Sequence, residues 1–190
     1  MPVFILFFLT KILFLSSCTS SECSKLIEIY NERAKLLQEY DIKLSNPEEA
    51  KGVVSIFTSK FKNICNKFDE FDQKLRCAVS DSRILGPDIE KNTCDLFISG
   101  AEFYLLDQSK YRQGSKAECG ALSNKVPGQV SGNDFEKKLN GFCEEVNSHS
   151  DIFLCELNVF EAPRASQYSI TYLKEICGLQ LHRITLLKND

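Results

Sequence analysis

The chain has no tryptophan, one methionine, two histidines and five prolines in 190 residues. Each scarcity closes a route. With only His149 and His182, far apart in sequence, a Ser-His-Asp arrangement has little to build on, and there is no HExxH run or glycine-rich phosphate loop. No CxxC pair occurs, so zinc-knuckle spacing is missing and neither metal ligands nor cofactor-binding residues are assigned. No Asn-x-Ser/Thr sequon occurs, and Asn92-Thr93-Cys94 is at best a rare variant, which argues against N-glycan-dependent recognition. Beyond Cys18, 22 Lys and Arg face 26 Asp and Glu, a net −4 with the signs interspersed, which suits neither nucleic acid nor an anionic membrane.

What the chain has is cysteine, nine residues, and phenylalanine, fourteen. Residues 1–18 read as a secretory signal peptide: apolar from Val3 to Leu9 and again to Leu15, too short to span a bilayer, then small residues with cleavage at Ser17 or Cys18. Leu15-Ser16-Ser17-Cys18 also has the form of a lipoprotein cleavage box, the minority alternative. Removing Cys18 leaves an even set, Cys23, Cys65, Cys77, Cys94, Cys119, Cys143, Cys155 and Cys177, in a chain addressed to an oxidising compartment, hence four disulfides. The remaining 19–190 is long enough for one domain with a real core.

Two stretches organise that domain. From Phe57 to Cys77, Phe57, Phe61, Ile64, Phe68, Phe71 and Leu75 step by four, three, four, three, four, the spacing of one apolar helical stripe. From Phe135 to Cys155, Phe135, Leu139, Phe142, Val146, His149 and Phe153 take the same steps. Each copy has a cysteine beside its third stripe residue and another just past its last. The shift of 78 residues points to duplication, with related halves at about 23–106 and 115–190. His149 then becomes the counterpart of Phe71, a core or boundary residue and not a catalytic one. The carboxylates Asp69, Glu70, Asp72, Glu144 and Glu145, and the clusters Lys60/Lys62 and Lys137/Lys138, read as solvated helix faces.

Coarse periodicity predicts helices over about Ser24–Lys43, from Pro47 (capped by Asn46, with Glu48 and Glu49 in its first turn) to before Ser80, and from the Leu85-Gly86-Pro87-Asp88 turn through Tyr104. Asp107–Gly132 is expected to be a connection with one short turn around Cys119, the most exposed stretch for proteolysis. Asn133-Asp134-Phe135-Glu136 has capping-box form. A last helix follows Ala162-Pro163, from about Ser166 to Cys177, ended by Gly178, and the tail beyond it fits neither period. The fold class expected is all-α, a disulfide-stapled helical bundle from two related halves.

On a continuous helix, Cys65 and Cys77 would lie about 18 Å apart, well beyond the roughly 7 Å reach of a bridge. They should not pair. An antiparallel hairpin would allow Cys23–Cys65 with Cys77–Cys94, one of three possible pairings for four cysteines, and a bend near Asn147–Asp151 would allow Cys143–Cys155.

The Phe57–Cys65 run (F-x3-F-x2-IC), Phe68, Cys77, Lys91–Cys94 and the second set from Phe135 through Cys177 resemble a nematode family of secreted cysteine-rich domains catalogued as domain of unknown function 19. The resemblance spans nearly all of 19–190 and implies a secreted helical fold. It implies no catalytic residues. The functional expectation is an extracellular interaction module that is not an enzyme, its partner an unknown extracellular protein or matrix component; the alternative is a carrier of a lipid or other small apolar ligand in an inter-helix pocket.

Overall fold

The computed structural model describes residues 21–44, 50–79, 82–84, 86–103, 107–128, 132–158 and 166–189. The expected leader at 1–18, the Asn46-Pro47-Glu48-Glu49 cap, Tyr104 and Ala162-Pro163 lie outside them. Among the described residues six α-helices dominate: α1 (Ser21–Leu44), α2 (Ala50–Cys65), α3 (Pro87–Phe103), α4 (Lys116–Lys125), α5 (Asn133–Ser148) and α6 (Ile170–Asn189). Five short strands accompany them: β1 (Cys77–Val79), β2 (Ser82–Ile84), β3 (Arg112–Gln113), β4 (Phe153–Leu157) and β5 (Ser166–Ser169). β1 and β2 form an antiparallel hairpin, and β4 pairs antiparallel with β5 and parallel with β3. The bundle is helical and disulfide-stapled as expected, with a small sheet that periodicity did not announce.

Both stripes form core. Phe57, Phe61 and Phe68 are buried in the first half with Leu26, Val54 and Ile98, and Leu139, Phe142, Val146 and Phe153 are buried in the second with Ile170 and Leu173. A third, smaller cluster, Ile89 of α3 against Leu179 of α6 with Leu96 and Leu186 beside them, joins the halves.

The long helix expected from Pro47 to before Ser80 is corrected. α2 stops at Cys65, residues Asn66–Glu70 tighten into a 3-10 turn, and the chain then reverses. Side chains drive the break: Lys91 Nζ holds Asn66 Oδ1 at 3.1 Å and Asp69 Oδ2 at 3.0 Å, and Asp72 Oδ1 accepts from the Lys74 N–H at 3.0 Å. Phe68 stays in the core because a 3-10 turn keeps residues three apart on one face. The second copy breaks at the corresponding place, since α5 ends at Ser148 and Cys155 lies on β4.

The connection expected at Asp107–Gly132 contains α4, opened by a full capping box. The Glu118 N–H donates to Ser115 Oγ at 3.2 Å and the Ser115 N–H to Glu118 Oε2 at 2.8 Å. The box expected at Asn133 is absent, because the N-cap is Gly132, which has no side chain to offer. The last helix is also displaced. Ser166–Ser169 pairs with β4, and α6 runs from Ile170 straight through Gly178 to Asn189. A helical glycine costs about 1 kcal/mol, and the burial of Leu173, Ile176, Cys177 and Leu179 along the same helix outweighs it.

Candidate functional site

The bridges fix which helix faces remain free. They are Cys23–Cys77, Cys65–Cys94, Cys119–Cys155 and Cys143–Cys177, with Cα–Cα distances of 5.6, 5.8, 5.4 and 5.6 Å, inside the usual span. All eight expected cysteines are therefore used. The pairing Cys23–Cys65 with Cys77–Cys94 is overturned, and so is Cys143–Cys155. The reversal after α2 carries Cys77 back to Cys23 in the first turn of α1, which leaves Cys65 facing Cys94 on α3. Cys65 and Cys77 do not pair, though the reason is this reversal and not distance along one helix. In each half the first cysteine joins the third and the second joins the fourth, and the fourth is the eighth residue of its helix, Cys94 in α3 and Cys177 in α6.

Tied to α2 and α5 in this way, α3 and α6 meet along a seam between the halves. On one side of the seam lies an aromatic cleft of about 190 Å³, walled by Tyr40, Phe57, Phe97 and Phe103 from the first half and by Tyr168 and Tyr172 from the second. Its rings are held in place by their neighbours. Tyr40 stacks on Phe57 at 3.9 Å between centroids, Phe57 on Phe61 at 4.8 Å, and Tyr168 lies parallel to Tyr172 at 6.0 Å. Gly100 of α3 makes this approach possible: a Cβ there would lie 2.9 Å from the Tyr172 hydroxyl and 3.1 Å from its Cζ. Among the described residues no Lys or Arg lines the cleft, and Gln167 supplies an amide.

On the other side, α3 and α6 border an open polar groove of about 400 Å³ with Asn92, Asp95 and Ser99 facing Glu175 and His182 over Leu96 and Leu179. Partial burial pushes the Glu175 carboxyl above its usual range, the nearby Asp95 charge adds to this, and a hydrogen bond with Ser99 opposes it. His182 Nε2 lies 3.2 Å from Asp88 Oδ2.

The other titratable residues singled out in the sequence are dispersed. His149 is a boundary residue with a 15% exposed side chain, its ring 5.5 Å from Phe153 and Nε2 3.5 Å from Glu145 Oε1. Glu145 is itself bonded by Lys125 at 2.6 Å, which holds its carboxyl below the usual range. Asp69 pairs with Lys91. Among the described residues no group of three or more His, Cys, Asp or Glu is placed to hold a metal ion, and no helix is long and apolar enough to cross a membrane. Sequence reasoning missed Tyr168, Tyr172 and Gly100. The small-residue run Ser99-Gly100-Ala101 inside a helical stretch was the available signal for a close approach there.

No family model, no curated protein and no solved structure matches this chain.

Proposed function

We propose that this chain is a secreted interaction module, built by internal duplication, that engages an extracellular protein partner through the aromatic cleft at the seam. The observation that carries the reading is the cleft itself: six aromatic rings, preorganised by stacking and by two disulfide-anchored helices, around a space of about 190 Å³. Binding hot spots are enriched in such rigid aromatic anchors. The space suits side chains of a docked segment and falls below the roughly 300–1,000 Å³ of pockets that enclose a small-molecule ligand, so the carrier reading has the lining in its favour and the volume against it.

Four bridges in one chain support secretion, because such bridges persist in oxidising compartments. Duplication is supported by the shared order helix, helix, hairpin, helix and by the identical first-to-third, second-to-fourth linkage in each half. The cysteine spacing and Phe-rich helices support membership in the nematode secreted family named above.

The test uses the oxidised protein, fluorescently labelled, on intact cells and extracellular matrix of its source. Saturable binding is expected, with Phe97→Ala or Tyr172→Ala weakening it about 30-fold, the loss typical of a hot spot, and Lys138→Ala on α5 leaving it unchanged. Stoichiometric lipid in native mass spectra, lost in the same cleft variants, would replace this reading with the carrier.

A further inference from the structure

The sheet of the second half ends at β5, and among the described residues no strand pairs with its outer edge. Its four residues, Ser166-Gln167-Tyr168-Ser169, match Leu157 to Leu154 of β4 one for one, without a bulge. In an antiparallel ladder alternate residues turn both N–H and C=O away from the partner strand. Two of the four β5 residues therefore offer a backbone donor and acceptor outward. Natural edges are commonly blunted by charged side chains, proline or bulges, because an open edge invites another strand. The other strands here follow that rule: β3 is two residues long and carries Arg112, paired with Glu118 of α4, and the β1–β2 hairpin carries Arg83. β5 has no charged residue, no proline and no bulge, and its Gln167 is exposed.

This edge borders the aromatic cleft. Gln167 and Tyr168 both line it, with Phe97 and Gly100 of α3 standing across. Neighbours in a strand point to opposite faces of the sheet, so a space that meets both lies off the edge and over neither face. We propose that the outer edge of β5 takes an extended segment of the partner protein as a further strand, with one apolar side chain of that segment seated in the aromatic cleft.

Edge and cleft select the same occupant. A row of outward backbone groups recognises an extended main chain at strand spacing, about 4.8 Å away, whatever its sequence. A helix satisfies its own backbone groups and leaves the edge unanswered. Among the described residues neither Lys or Arg nor Asp or Glu lines the cleft, so a charged side chain would lose its water there without gaining a counter-ion, whereas an apolar one meets ring surface. Main-chain pairing then supplies affinity and the cleft supplies choice of side chain. Strand addition at this edge rests on the reading of the cleft as a protein-binding site and specifies how the partner engages it.

The experiment pans a phage-displayed library of random linear dodecapeptides on the full oxidised protein and discards binders that the Phe97→Ala variant retains. Phe97 is 38% exposed, so its truncation spares the core. The enriched peptide is synthesised with one backbone N-methyl group at each position in turn, and amide exchange in Ser166–Ser169 is followed by NMR. N-methylation at alternate positions of the bound segment should weaken binding about 10-fold, the factor for one lost hydrogen bond, while the positions between tolerate it. Two alternate β5 amides should gain protection only with peptide bound. Failure to enrich any cleft-dependent peptide, N-methyl effects without alternation, or β5 amides unchanged at saturation would each overturn the proposal. A dimer of the free protein that excess peptide dissociates would also overturn it, by making a second copy the occupant. Peptides that need Phe97 yet leave the β5 amides unchanged would preserve the cleft as a protein site and remove only the added strand.

Discussion

Arg33 of α1 and Glu90 of α3 form an ion pair inside the first half, with side chains only 6% and 8% exposed. Arg33 Nη2 bonds Glu90 Oε2, Nη1 donates to the Glu90 carbonyl at 3.0 Å and approaches Cys94 Sγ at 3.8 Å, and the guanidinium lies 5.2 Å from the Tyr30 ring and 5.4 Å from the Phe68 ring. The buried cation thus has an anion, a carbonyl and two ring faces, while its Nε–H is left without a partner. No disulfide joins α1 to α3. This pair is the polar clamp between them.

Breaking a buried pair by removing one partner leaves the other charge stranded and costs about 3–5 kcal/mol, a large part of the roughly 5–15 kcal/mol that holds a domain together. Arg33→Met or Glu90→Leu alone should therefore lower the denaturation midpoint steeply. The double variant should recover at least half of the loss, because two apolar side chains of similar size leave nothing uncompensated. Chemical unfolding at constant m-value reads both; equal and additive losses would show that the charges do not act as a pair.

Non-reducing peptide mapping should recover Cys23 with Cys77, Cys65 with Cys94, Cys119 with Cys155 and Cys143 with Cys177. Loop entropy ranks the first two. The separation of 54 residues predicts a loss of about 4 kcal/mol for the Cys23→Ala/Cys77→Ala pair, and the separation of 29 about 3.5 kcal/mol for Cys65→Ala/Cys94→Ala. Both members of the second bridge are wholly buried, so the cavity left behind should reverse that small difference, and calorimetry on the two double variants would show the order.

Gly114 stands where the third bridge passes. A Cβ there would collide with Cys119 Sγ and come within 2.8 Å of Cys155 Sγ. Gly114→Ala should yield a chain with two free thiols after oxidative refolding, whereas Gly100→Ala should keep all four bridges and cost about 1–3 kcal/mol from overpacking against Tyr172. Thiol titration separates the cases. Tyr172→Leu in the Gly100→Ala background should restore most of the loss.

The Phe stripes were legible because burial demands one face whatever the backbone does, and Phe57, Phe61 and Phe68 are all buried. The element was not legible. A period of three to four persists through a 3-10 turn, so the stripe ran on past Cys65 while the helix stopped. Asn147-Ser148-His149-Ser150-Asp151 betrayed the break in the second copy; applied to the first, the same logic would have marked Asp69, Asp72 and Gln73, but a bend alone pointed to Cys143–Cys155 and not to the bridges that form. The seam was hidden for a different reason. Tyr172, Glu175, Gly100 and Asp88 lie in different halves, and no local pattern ties them together.

Glu118 gives α4 its acid sensitivity. The hydrogen bond from Arg112, followed by those from Ser115, pulls its carboxyl down to about 2. A depressed folded-state value means stability that is present above the ordinary carboxylate range and lost as pH falls toward 2. Amide protection in Lys116–Lys125, measured relative to the intrinsic exchange rate at each pH, should therefore fall on acidification before that of the buried helices does. Glu118→Gln should show fast exchange already at neutral pH, and identical exchange in both proteins would refute the role of the cap.

The bridges also decide what a single backbone cut can do. Because each of these disulfides lies within one half, the covalent graph of the molecule is two doubly bridged blocks joined by the one run of chain between Cys94 and Cys119. A protease that severs this thread leaves every cross-link intact and still yields two pieces that can part without any reductant. Their separation is then opposed only by the noncovalent seam, so the lifetime of the nicked dimer of halves is a direct measure of how strongly α3 grips α6.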